Sequence, residues 1–260
     1  MINPFAYLLA ALRAIILIIL MAVFLLIYMP LDFIFKIGTP KRNFWLRRFY
    51  VHTANSILGM RCQVTGKAYE GTALYLCNHR SLSDPLIFSA YVDAFVIAKA
   101  EVSKIPVLDA GAKLTGVIYV KRENQDSRHA VRAKMAEILL DGINILVYPE
   151  GTVNGEPNLM EYRPGTCIAA VKNNIPVVPV VLEYHNEKDL WSDGSMVSHF
   201  FKQFGKLFTK TKLIIGPPMT ADDGIELRDK IMEWSQEQVY TVHKGWGSSL
   251  EKVINQQQQT

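Results

Sequence analysis

Cysteine is scarce in this 260-residue chain: Cys62, Cys77 and Cys167 are the only three, and none forms a CxxC pair. Three cannot all pair, which argues against a disulfide framework or a thiolate zinc site and for a reducing, cytoplasmic compartment. Familiar catalytic signatures are missing as well. No GxSxG elbow, GxxxxGK(S/T) loop, GxGxxG turn or HExxH helix occurs, so hydrolase, nucleotide-binding and zincin readings lack their minimum requirements. Acidic residues are absent from 33–69, a stretch that carries Lys36, Lys41, Arg42, Arg47, Arg48, Arg61 and Lys67. This basic block adjoins an apolar N-terminus suited to anionic lipid, so nucleic acid is not an expected partner.

Half of the residues are hydrophobic, and much of the excess lies in the first 35. Residues 14–29 run without a polar break, and 4–12 extend the apolar character across Arg13. Sixteen residues reach only about 24 Å against a hydrocarbon core of about 30 Å. Two membrane arrangements follow: a span with Arg13 snorkelling to the interface, or a helix that enters one leaflet and turns at Pro30-Leu31-Asp32. In the second, the basic run 36–50 lies on the surface. No small-residue cleavage site follows the run, so it does not read as a signal peptide. The positive-inside bias puts everything after Pro30 on the cytoplasmic face of the inner (plasma) membrane. Residues 1–58 are therefore expected to form a membrane-anchoring helical region and 59–260 a separate domain.

From Gly59 onward, short apolar, β-branched runs alternate with amphipathic stretches. Strands are expected at 61–65, 73–77, 94–98, 116–120, 144–148, 177–182 and 212–215, and helices at 85–91, 103–113, 127–140, 166–172 and 224–244. This alternation predicts an α/β fold: a mixed, largely parallel sheet flanked by helices, preceded by a hydrophobic helix or helical hairpin. Pro176 and Pro179 restrict their strand to an edge, a bulge or a bend. Residues 184–211, with Trp191 and four phenylalanines among lysines, read as a loop or a surface helix.

Ligands of such sheets gather at the carboxyl ends of strands, and three strand ends hold residues of catalytic type. The first is Cys77-Asn78-His79-Arg80-Ser81-Leu82-Ser83-Asp84-Pro85. On a helix, His79 and Asp84 would lie about 140° apart, so the segment must turn to fold the carboxylate onto the imidazole as a general base. Asp84-Pro85 reads as the N-cap and first residue of the next helix. The second is the strand running into Lys121 and Arg122, where a guanidinium fork suits phosphate. The third is Tyr148-Pro149-Glu150-Gly151-Thr152, an acid and a glycine turn directly after a buried strand. No metal site is expected.

In order and spacing, the segments 78–84, 116–122, 148–152 and 178–180 resemble the four blocks of the glycerolipid acyltransferases with an HxxxxD motif, including the 1-acylglycerol-3-phosphate acyltransferases. The resemblance covers residues 66–183. It implies that His79 deprotonates the free hydroxyl of a lysophospholipid, that Asp84 orients His79, and that the acyl donor is acyl-CoA or acyl-carrier protein, a co-substrate rather than a cofactor. It further implies that Arg122 binds the acceptor phosphate, that Glu150, Gly151 and Thr152 contribute to the acceptor site, and that Lys99 assists phosphate or donor binding. The family commonly has an arginine after the threonine of its third block; this chain has Val153, for which Lys121 is expected to compensate. The expected acceptor is 1-acylglycerol-3-phosphate, with a lyso-ornithine lipid as the alternative. The rival reading is a membrane lipid-binding protein without catalysis.

Overall fold

The computed structural model describes residues 4–35, 44–99, 116–120, 125–191 and 195–247. Seven strands form one mixed sheet: β1 (Met60–Thr65), β2 (Leu74–Cys77), β3 (Phe95–Lys99), β4 (Val117–Val120), β5 (Ile145–Val147), β6 (Val177–Tyr184) and β7 (Thr209–Ile215). Their order is β1-β7-β6-β2-β5-β3-β4, and every neighbouring pair is parallel except β6 with β7. All seven expected strands are present, within a few residues at their ends. The expected helix at 103–113 lies outside the described residues.

Period-two alternation assigns each strand residue a face. Leu74 and Leu76, Ile145 and Val147, and Val177 and Val181 point to one side. There they meet helices α4 (Gln125–Leu140), α5 (Gly165–Lys172) and α7 (Gly224–Trp246). Tyr75 and Cys77, Leu146 and Tyr148, and Val178, Val180, Leu182 and Tyr184 point to the other, beneath α3 (Asp84–Ser89). β2, β5 and β6 are buried along their whole lengths, as a central parallel sheet covered on both faces requires. In α7, Leu227, Ile231, Ser235 and Val239 recur every fourth residue on the buried side, while Asp223 caps its first turn by accepting from Ile225 N and Glu226 N.

Pro179 does not put β6 on an edge. The strand lies between β2 and β7, and Pro179 is tolerated because its missing N–H falls where the β7 ladder has barely begun. Its carbonyl accepts from Gly216 N at 2.9 Å, and strand-to-strand pairing starts only at Val180 with Ile215.

The N-terminal helix α1 (Pro4–Phe35) continues through Pro30 rather than turning there. A proline forfeits its own amide bond and crowds the preceding turn, yet breaking the helix in apolar surroundings would expose still more unpaired backbone. Among the described residues this is the one helix long and apolar enough to cross a membrane, over Pro4–Tyr28, with 11% of that window buried. Its 32 residues are about 48 Å long.

Arg13 does not snorkel. It is 8% exposed and reaches the carboxyl end of α6 (Met196–Phe204), donating to Phe204 O at 2.8 Å, Leu207 O at 3.0 Å and Lys206 O. Helix C-termini leave carbonyls without partners, and a guanidinium supplies enough donors for three of them. Gly205 permits this approach, since a Cβ there would lie 2.8 Å from Ala6 O. The basic block is also put to internal use. In α2 (Phe44–Ile57), Arg47 donates to Ala94 O at 2.6 Å and Arg48 forms a two-bond fork with Asp93; Arg61 lies over the Phe208 ring. These three cations dock elements of the domain, so the membrane-facing reading of the block does not extend to them.

Replacing Arg13 with alanine is expected to free the α6 carbonyls and destabilise the α1 contact by roughly 2–3 kcal/mol. Hydrogen exchange should speed up in residues 200–207 and remain unchanged in β2 and β6; unchanged exchange at α6 would refute the capping role.

Candidate active site

β2, β5, β6, β3 and β4 all point their carboxyl ends the same way, and of the expected site residues His79 follows β2, Glu150, Gly151 and Thr152 follow β5, and Lys99 ends β3 along that edge. His79 emerges from β2 on the α3 side, following the parity of Tyr75 and Cys77. Its Nδ1 is 2.7 Å from Asp84 Oδ2. The same carboxylate oxygen accepts Arg80 N at 2.6 Å and Ser81 N at 2.9 Å, and Oδ1 accepts the Tyr184 hydroxyl at 2.6 Å. Asp84 is fully buried, so these donors replace its lost hydration. The five-residue spacing thus produces a tight turn closed on its own last carboxylate. Asp84 does not cap α3; Ser83 holds that position without a side-chain cap, because the carboxylate is committed to the loop behind it.

With Nδ1–H donated to Asp84, the lone pair of His79 resides on Nε2. The ring is 19% exposed and stacks on Tyr148 at 4.0 Å between centroids and 19° between planes. Tyr148 comes from β5 on the same face, so the adjacent strand provides a flat wall for the imidazole. Its hydroxyl is buried without a hydrogen-bond partner, and burial pushes its pKa well above the ordinary range.

Arg80 turns inward and is wholly buried. Its Nε donates to Glu183 Oε1 at 2.8 Å, and its Nη atoms donate to Asn154 O, Glu156 O and Pro157 O. Glu183 also accepts from Asn78 Nδ2 at 2.8 Å and pairs with His243 Nε2 at 3.0 Å. Burial alone would raise the Glu183 carboxyl, but Arg80 and His243 hold it below the usual carboxylate range. Glu150 is 2% exposed and accepts His79 N at 3.0 Å and Met160 N at 3.1 Å. Burial raises its pKa, with the Arg80 charge and the amide donors opposing the rise. Through Oε1, Glu150 supports the His79 backbone, and through Oε2 it holds the chain at Met160. Thr152 is exposed beside it, and Gly151 has φ +78°, a conformation a side chain would strain.

A second polar layer clamps the loop from α6. Ser81 Oγ lies 2.8 Å from His199 Nε2 and donates to Gln203 Oε1 at 3.0 Å, while Ser83 Oγ contacts the Tyr184 hydroxyl at 2.8 Å. Trp191 stacks on His199 at 5.2 Å. Burial, reinforced by Lys202, pushes the His199 imidazole from its ordinary 6.5 down to about 4.

Arg122 and Lys121 lie outside the described residues, and Lys99 is described only as the last residue of β3. β4 is three strand positions from β2, roughly 14 Å at 4.8 Å per strand. Sequence reasoning did not single out Arg80, Tyr148, Glu183, Tyr184 or His199. Glu183 carried a readable signal, an acid closing an apolar strand as Glu150 does; His199, 118 residues from Ser81, carried none.

Residues 59–183 match the Acyltransferase family. The chain is 28% identical over 149 residues to the lyso-ornithine lipid O-acyltransferase of Pseudomonas aeruginosa, covering 57% of each chain. It is 30% identical over 131 residues to the 1-acyl-sn-glycerol-3-phosphate acyltransferase of Haemophilus influenzae, covering 48% of this chain and 55% of that one. The matched stretches thus span little more than half of these relatives. The crystal structure of the 1-acyl-sn-glycerophosphate (LPA) acyltransferase of Thermotoga maritima superimposes with a TM-score of 0.67 over 90% of this chain and 97% of that one, at 19% identity, which establishes a shared fold.

Two outcomes follow from this geometry. Tyr148→Phe should retain turnover because it keeps the stacked ring and removes only an unsatisfied hydroxyl, whereas Tyr148→Leu should lower kcat roughly tenfold with little change in KM; equal kcat for both would dismiss the stacking role. For His199, the unfolded chain takes up a proton near pH 6.5 while the folded chain resists to about pH 4. Stability from this group is therefore level above pH 6.5 and declines as pH falls towards 4. Thermal melts of His199→Gln should lack that portion of the decline, and superimposable pH profiles for parent and variant would contradict it.

Proposed function

The chain belongs to the Acyltransferase family through residues 59–183, and on that premise we propose that it transfers a fatty acyl group from an acyl thioester to the free hydroxyl of a lysolipid. The observation that carries the reading is the 2.7 Å contact between His79 Nδ1 and the buried Asp84 carboxylate, which leaves Nε2 basic at the partly open end of β2. His79 Nε2 takes the hydroxyl proton as the acceptor oxygen attacks the thioester carbonyl carbon. The tetrahedral intermediate then collapses, breaking the carbon–sulfur bond, and the departing thiolate recovers the proton from the imidazolium. Asp84 holds the imidazole in the correct tautomer and opposes its charge throughout, as a triad carboxylate does.

The donor is acyl-CoA or acyl-carrier protein, and the chemistry needs no metal or cofactor. The acceptor is 1-acylglycerol-3-phosphate, supported by the similarity to the Haemophilus influenzae protein; a lyso-ornithine lipid is the second reading, supported by the similarity to the Pseudomonas aeruginosa protein. Residues 1–58 anchor residues 59–260 to membrane phospholipid on the cytoplasmic face. The contact of α1 with the domain through Arg13 to α6, together with the bond from Tyr50 of α2 to Leu17 O, favours a helix lying along the domain in one leaflet over one leaving it directly. A proton-abstracting base is also what separates this reading from a lipid-binding protein without catalysis.

Radiolabelled acyl transfer from acyl-CoA and from acyl-carrier protein, with lysophosphatidic acid and lyso-ornithine lipid as parallel acceptors, tests the reading. His79→Ala is expected to lose activity by at least a thousandfold and Asp84→Asn by two or more orders of magnitude with the melting transition retained. Equal product from the parent and His79→Ala would eliminate the proposed base.

A further inference from the structure

Three other arginines are already engaged: Arg80 by Glu183 and three carbonyls, Arg47 by Ala94 O, and Arg48 by Asp93. Arg163 is different. It is exposed and makes no ion pair among the described residues, yet its position is built. Its backbone N donates to Pro149 O at 3.1 Å, tying residue 163 to the turn that follows β5. Its guanidinium lies against Gly151: a Cβ at Gly151 would fall 2.7 Å from Arg163 Cζ and 3.0 Å from both Nε and Nη1. Any side chain at 151 would therefore displace the guanidinium, in addition to straining a backbone at φ +78°.

Two further observations give this seat a direction. Gly151 follows directly on Glu150, the carboxylate that holds His79 N, and β5 is the immediate neighbour of β2, so Arg163 stands one strand from the base. The guanidinium of Arg163 is thus an exposed donor fork, seated on a glycine turn beside the base and without an acidic partner among the described residues, and such a fork suits an anion.

Resting on the acyl-transfer reading, we propose that Arg163 binds the anionic oxyacid of the acceptor head group, a phosphate monoester or a carboxylate. A planar fork donates two parallel hydrogen bonds to either. The tether to Pro149 O and the seat on Gly151 set the head group at a fixed distance from His79 Nε2, so the guanidinium selects acceptors whose hydroxyl then meets the base.

Isothermal titration calorimetry on the full chain in detergent tests this without requiring turnover. The probes are hexanoyl lysophosphatidic acid for the phosphate, N-(3-hydroxyhexanoyl)ornithine for the carboxylate and 1-hexanoylglycerol as a neutral control. Arg163→Gln is expected to weaken binding of at least one anionic probe roughly ten- to hundredfold, leave the neutral probe unchanged, and keep the parent's melting transition, with Arg163→Lys intermediate. The anionic probe that weakens identifies the head group. Equal affinities in parent and Arg163→Gln, an equal loss for the neutral probe, or no saturable binding of either anion by the parent would each overturn the proposal. Intact, Arg163-dependent binding without acyl transfer would instead reject the proposed reaction and leave the site standing.

Discussion

A buried guanidinium organises this molecule. Arg80 has no access to water, and an unpaired charge in that position would cost several kcal/mol. Satisfying it requires the end of β6 through Glu183, the loop at 154–157 through its carbonyls, and α7 through His243 on the far oxygen of Glu183. Such a pair is weak as a source of net stability, because desolvation consumes much of the attraction. Its value is positional. With Arg80 pinned inward, the preceding residue is held at the strand end on the opposite face, and Asp84 has one place to go.

From that point the site is assembled in layers. Asp84 closes the loop on three nitrogens, Tyr184 supports Asp84 from β6, and Ser81 and Ser83 connect the loop to Gln203 and His199 of α6. The carboxyl end of α6 is in turn capped by Arg13 of the apolar α1. An unbroken series of polar contacts therefore runs from the N-terminal helix to the histidine. On the proposed function the acceptor is dissolved in lipid, and a base tied to the apolar α1 would stand at a defined height above the bilayer.

Much of the architecture was legible because it rests on local physics. The apolar runs at 73–77, 144–148 and 177–182 are buried on both faces, which only a covered parallel sheet explains, and the HxxxxD turn follows from the impossibility of joining His79 to Asp84 along a helix. Three expectations changed for reasons outside local sequence. Pro179 sits inside the sheet because β7 ends its pairing there; Pro30 lies within a continuous helix; Arg47 and Arg48 dock α2 instead of facing lipid. For Pro179 and the two arginines the deciding partner is distant in the chain, Gly216 for the first and residues 92–94 for the others.

The same division holds at the site. Sequence alone determined that a histidine and an aspartate meet at a strand end, that other polar strand ends share that edge, and that an apolar segment precedes them, since strand periodicity, turn geometry and hydropathy act over a few residues. Only the tertiary structure decided what each polar group does. Glu150 and Glu183 are both acids at the ends of apolar strands, yet one holds the His79 backbone and the other neutralises Arg80, because strand order sets which carboxylate meets which donor. Arg163 was an unremarked cation until the chain folded back over Gly151, a contact between residues twelve apart that no local rule specifies.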